Sequence, residues 1–154
     1  MLDKPQIIQT TALPCAVVRI TIPREQIQHV MGPGITEVIK AVTAQGIGPA
    51  GPVFSHHLRM GPTTFDFEVG VPVSKPVSPT GRVKQGELPA GKVARTVYHG
   101  SYEGLGSAWG EFDAWVKAEG HTPAQDHWEC YVSGPETGPD PSNWRTELNQ
   151  PLAG

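Results

Sequence analysis

The chain has 154 residues, the size of one domain. Its 38% hydrophobic and 18% charged residues exclude a disordered polar chain, and its 18 glycines and 16 prolines stay under the ~25–30% typical of low-complexity sequence. The balance of 12 Lys+Arg against 15 Asp+Glu gives a net charge of −3 with no clustered basic stretch, which excludes a face built to neutralise nucleic-acid phosphates.

No apolar run approaches the ~18–20 residues of a membrane span, and Met1-Leu2-Asp3-Lys4-Pro5-Gln6 does not lead into a signal-peptide stretch. A cytoplasmic protein without a membrane partner is therefore expected. Cys15 and Cys130 are isolated thiols, read as reduced and buried. No CxxC, HExxH or glycine-rich phosphate loop occurs.

In chain order, residues 16–20 form a β-branched run, read as a strand. Residues 24–45 carry Ile27, Val30, Met31, Ile35, Val38, Ile39 and Val42 at helical spacing. Gly32-Pro33-Gly34 predicts a break there, with the main helix after Pro33, and Gly46 is the stop. Residues 53–59 and 64–71 read as strands around Gly61-Pro62. Residues 92–99 are the next strand. Residues 102–119 are a helix with Leu105, Trp109, Phe112, Trp115 and Val116 on one face. Ser101 is placed to cap it and Gly120 to end it. Strands at 126–133 and 144–150 close the chain around a loop at 134–143.

The same motif is written twice. Leu13-Pro14 recurs as Leu88-Pro89, Val18-Arg19 approximately as Ala94-Arg95, residues 44–50 as 118–124, and residues 65–73 as 144–152, with offsets of 74 to 79. The chain thus reads as one α+β domain over 1–154: a tandem β-α-β-β repeat, with copies at about 10–73 and 86–152 joined by a linker at 74–87. Each copy is too small to bury much alone. The expected architecture is a pseudo-two-fold antiparallel sheet carrying both helices on one face, with a ligand groove between the halves.

Function is sought where the copies differ. Phe54 against Trp128 and Phe65 against Trp144 are like-for-like, but the offset of 74 sets Ser55 against Glu129. Strand alternation puts His127, Glu129 and Tyr131 on one face and Trp128, Cys130 and Val132 on the other, the latter expected to turn toward the helix. Glu129 reads either as a solvated sheet carboxylate or as the anionic floor of an aromatic groove, where burial would favour the acid and a bound cation the carboxylate. Tyr102 and Trp144 stand at element junctions that rim clefts, and His99 lies at the same strand–helix junction as Tyr102. Trp109, Phe112 and Trp115 read as core. His56-His57 point to opposite faces, and His99, His121 and His127 share no ligand spacing, so no metal site and no cofactor are expected.

The stretch Leu88-Pro89-Ala90-Gly91, His99-Gly100-Ser101-Tyr102-Glu103, the segment from Trp115 to Gly120, Trp128-Glu129-Cys130-Tyr131 and Trp144-Arg145-Thr146-Glu147-Leu148 resembles the GyrI-like small-molecule-binding family. That family includes effector-binding domains of BmrR-type and some AraC-type multidrug regulators. Gly51-Pro52-Val53-Phe54 and residues 65–72 resemble its first half. The resemblance implies a pocket between the halves, an acidic residue at Glu129 facing an often cationic and aromatic ligand, and aromatic positions at Tyr102 and Trp144.

The leading reading is a stand-alone binder of hydrophobic, cationic or aromatic xenobiotics, with Glu129, Tyr102, Trp144, Tyr131 and His99 as candidate ligand-binding residues. Specific nucleic-acid binding by this chain alone is not expected, because no helix-turn-helix precedes the first strand. The resemblance also implies two alternatives: a hydrolase of cyclopropane-bearing natural products, in which Glu129 would be general base and Tyr102 or Tyr131 the donor, and a protein-interaction role such as gyrase inhibition. Haem carriage on a similar tandem fold is more distant. Homodimerisation stays open.

Overall fold

The computed structural model describes residues 2–23, 27–60, 64–133 and 138–153. They divide into two compact units, Thr11–Ala90, and Met1–Thr10 with Gly91–Gly154. Both are α+β.

In the unit Thr11–Ala90, strand β2 (Leu13–Pro23) leads into helix α1 (Ile27–Ala44), followed by β3 (Phe54–Met60), β4 (Thr64–Pro72) and β5 (Lys84–Leu88). The strands pair antiparallel in the order β5-β2-β4-β3. Alternation along β2 and β4 turns Ala16, Val18, Ile20, Phe67, Val69 and Val71 toward α1, where they bury Val38, Ala41 and Val42. Gly70 is required on the opposite face. A Cβ there would lie 2.5 Å from the Ala16 carbonyl oxygen and 2.9 Å from the Phe54 ring.

The remaining residues repeat the plan. Strand β6 (Gly91–His99) is followed by helix α2 (Leu105–Ala118), the short β7 (Thr122–Pro123), β8 (His127–Ser133) and β9 (Arg145–Ala153). The N-terminal strand β1 (Gln6–Thr10) joins this unit, giving the antiparallel order β1-β6-β9-β8, with β7 paired to the end of β9. Its core combines Ala94, Tyr98 and Leu148 from the sheet with Ala108, Phe112 and Val116 from α2. Each unit therefore orders its strands as added strand, first, third and second of the β-α-β-β motif. Both helices end alike: Gly46 and Gly120 take left-handed φ of 69° and 82°, and the amides of Ile47 and His121 reach back to the carbonyls of Val42 and Val116, each at 3.1 Å.

Three expectations need correcting. Helix α1 does not break at Gly32-Pro33-Gly34 but runs through Pro33. Gly34 serves close approach: a Cβ on it would stand 3.2 Å from Ile20 Cδ1, so the glycine lets the helix lie on β2, and burial of its downstream stripe outweighs the hydrogen bond Pro33 forgoes. The residues read as a linker end in β5, whose polar Lys84-Gln85-Gly86-Glu87 carries no strand periodicity yet pairs with β2. Strand β1 was likewise unsignalled. Ser101 does not cap α2 with its side chain. A 3-10 turn at Tyr102–Gly104 precedes the helix, which starts from Gly104 with no side-chain cap, and the Ser101 carbonyl instead accepts the Tyr98 hydroxyl at 2.8 Å. Among the described residues no helix is long and apolar enough to cross a membrane.

Candidate functional site

Strand β8 alternates as its sequence requires, and its pairing with β9 decides what each face meets. Glu129 stands opposite Leu148, and Tyr131 opposite Thr146. Because Leu148 packs against Ala108, Phe112 and Val116, the face bearing His127, Glu129 and Tyr131 is the one that α2 covers. The opposite face, carrying Trp128 and Cys130, meets Asn149, whose side-chain amide approaches Cys130 Sγ at 4.0 Å. The expectation that Cys130 would turn to the helix is thus reversed. Alternation defines two faces, and long-range packing chooses which is roofed.

Under that roof Glu129 is only 9% exposed. The Trp109 indole N–H of α2 donates to Glu129 Oε1 at 2.7 Å, and the Tyr131 hydroxyl donates to Oε2 at 3.1 Å. Trp109 lies against His127, ring centroids 4.4 Å apart, and against Phe112 at 5.8 Å. Burial pushes the Glu129 carboxyl above its ordinary 4.5, while the Trp109 and Tyr131 hydrogen bonds pull the other way. Among the described residues no Lys, Arg or His forms an ion pair with it. The carboxyl is thus held out of water by two neutral donors and lies beside aromatic rings.

Among the described side chains, neither His99 nor Trp144 forms a hydrogen bond with Glu129. His99 is on the opposite face of β6 from Tyr98 and places Nε2 2.9 Å from Asp3 Oδ1. Trp144 precedes β9, its indole N–H donating to the Gly138 carbonyl at 3.1 Å. The Tyr102 backbone forms the 3-10 turn, and its side chain lies outside the described residues. Trp109 was missed as a site residue because its helical spacing reads as core. The available signal was chemical: a tryptophan N–H taken out of water needs an acceptor. In the other unit the counterpart Ser55 is fully buried, its Oγ 3.2 Å from His57 Nε2, with His57 stacked on Phe67 at 5.2 Å. Among the described residues no three His, Cys, Asp or Glu side chains gather as metal ligands.

Replacing Trp109 by Phe keeps a ring against His127 and removes the N–H. The variant is expected to lose roughly 1–3 kcal/mol of stability, because the buried carboxyl is left short of a donor. Its Glu129 pKa should move further up, since a bond to the charged form is gone. Carboxyl-detected NMR titration checks the second effect, and an unchanged pKa would mean the indole does not support the carboxylate.

Helix α2 thus roofs an antiparallel sheet over a buried carboxylate, in an α+β frame of the small-molecule-binding class. The chain belongs to the GyrI-like small molecule binding domain family, whose model matches residues 3–153. It is similar in fold to the EcmrR C-terminal domain, at 18% identity and a TM-score of 0.82 over 97% of each chain. Against EcmrR in its DNA complex, also 18% identical with a TM-score of 0.81, 97% of this chain aligns but spans only 57% of that one. SAV2435, solved with bound tetraphenylphosphonium, is 16% identical with a TM-score of 0.67 over 99% of this chain and 95% of its own. No curated protein sequence matches the chain.

Proposed function

We propose that the protein binds hydrophobic cationic small molecules, with Glu129 as the charge partner and Trp109 and Tyr131 holding its carboxylate. The observation that carries this reading is a buried carboxylate whose two oxygens accept only neutral donors. Two unit charges ~4 Å apart near a protein surface attract by about 4 kcal/mol, four times the value in bulk water. A cation entering here gains more than it would at an exposed glutamate. The structure of SAV2435 with a lipophilic cation is support of the same kind.

Two ions of one shape and opposite charge test the proposal. Tetraphenylphosphonium at ~100 Kd should stabilise the protein by about 2.7 kcal/mol in thermal unfolding, and tetraphenylborate should not stabilise it. Equal shifts with both ions would reduce the site to a hydrophobic one.

A second reading is favoured by the upward-shifted carboxyl of Glu129: a general base orienting water onto a strained, electrophilic carbon. Turnover separates the two. A binder protects one equivalent of an electrophile, whereas an enzyme yields product beyond it, and Glu129→Gln would slow that turnover ~100-fold or more.

A further inference from the structure

Thr146, on β9, is fully buried, and its Oγ1 has no hydrogen-bond partner. Its cross-strand neighbours are Tyr131 on β8 and Tyr98 on β6. All three belong to the α2-facing side, one row along from Glu129 and Leu148. Both flanking phenols are committed elsewhere, Tyr98 to the Ser101 carbonyl at 2.8 Å and Tyr131 to Glu129 at 3.1 Å. A hydroxyl left unpaired in a dry site carries its full desolvation penalty. A valine would fill the same space without that penalty, so packing alone does not account for the threonine.

We infer that Thr146 is the neutral hydrogen-bonding element of the Glu129 site, and that the ligand carries a hydroxyl or amino group for Thr146 Oγ1 in addition to its cationic centre. The inference rests on the cation-binding reading of Glu129. Diagonal neighbours on one sheet face stand ~7–8 Å apart, a separation that one drug-sized molecule spans between a charge and a polar substituent. Tyr131 links the two positions: its hydroxyl donates to Glu129 and it is the cross-strand partner of Thr146.

The test compares tetraphenylphosphonium with its 3-hydroxyphenyl and 4-hydroxyphenyl analogues, titrated calorimetrically into the parent, Thr146→Val and Glu129→Gln. The parent should bind at least one hydroxylated cation about 5-fold more tightly than tetraphenylphosphonium. Thr146→Val should erase that preference while leaving tetraphenylphosphonium affinity within about 2-fold, and should melt at or above the parent temperature because the unpaired hydroxyl is gone. Equal weakening of all three cations by Thr146→Val, absence of any hydroxyl preference in the parent, or a lowered melting temperature in the valine variant would overturn the assignment of Thr146. If those results came with tetraphenylphosphonium binding that Glu129→Gln abolishes, the cation-binding reading would stand and only the Thr146 inference would fall. Failure of the parent to bind any of the three would overturn both.

Discussion

Glu129→Gln should weaken tetraphenylphosphonium binding about 10- to 150-fold, the loss of roughly 1.5–3 kcal/mol that accompanies removal of a charged partner. The amide keeps the shape of the side chain and can still accept from Trp109 or Tyr131, so the fold should persist. Binding should also change its pH dependence. Tetraphenylphosphonium is a permanent cation, and in the parent its affinity should rise with pH as Glu129 ionises through its upward-shifted pKa. In the glutamine variant it should be flat. Stability follows the opposite sign. A carboxyl whose folded pKa lies above the unfolded value binds more protons when folded, so parent stability declines as pH rises from about 4.5 through the folded pKa. Glu129→Gln lacks that decline. It should gain on the parent at neutral pH and lose the gain below the unfolded pKa, as urea unfolding at several pH values would measure. Equal affinity and equal pH profiles in both proteins would return Glu129 to the class of ordinary sheet carboxylates.

Phe112→Ala should cost about 3–5 kcal/mol, the range for truncating a fully buried phenylalanine. Phe112 is 0% exposed on α2, packs with Leu148, Ala108 and Val116, and has the Trp109 and Trp115 rings at 5.8 and 6.3 Å. Against a total stability of ~5–15 kcal/mol, such a loss leaves the folded state marginal. It should also loosen Trp109, which Phe112 supports, and so weaken tetraphenylphosphonium binding in whatever fraction remains folded. Val132→Ala is the control: Val132 is 49% exposed, and its truncation should change stability by less than ~0.5 kcal/mol. Comparable urea midpoints for the two variants would show that α2 is not docked through Phe112.

Much of the site was readable because its signals are local. The apolar stripes of both helices, their stops at Gly46 and Gly120, and the alternation that groups His127, Glu129 and Tyr131 depend on residues within a few positions of one another. The offset between Ser55 and Glu129 also drew attention to the carboxylate without any structure, since a repeat kept for packing has no need to exchange a hydroxyl for a charge. Strands β1 and β5 escape the sequence reading because each is only five residues long and lacks strict alternation, and their pairing with β6 and β2 supplies what their sequences do not advertise. Pro33 reads as a break because local propensity disfavours it in a helix, whereas the contact of Gly34 with Ile20 and the burial of Val38, Ala41 and Val42 against the sheet lie beyond any local window.

The sequence by itself determined that Glu129 and Tyr131 share a face. Only the tertiary structure decided that this face is roofed by α2, that Trp109 turns its N–H onto the carboxylate, that His99 belongs with Asp3, and that Thr146 is left without a partner. The physical reason is the same in each case: a β-strand's period assigns side chains to two equivalent faces, and which face is dry depends on cross-strand register and helix docking among residues far apart in the chain.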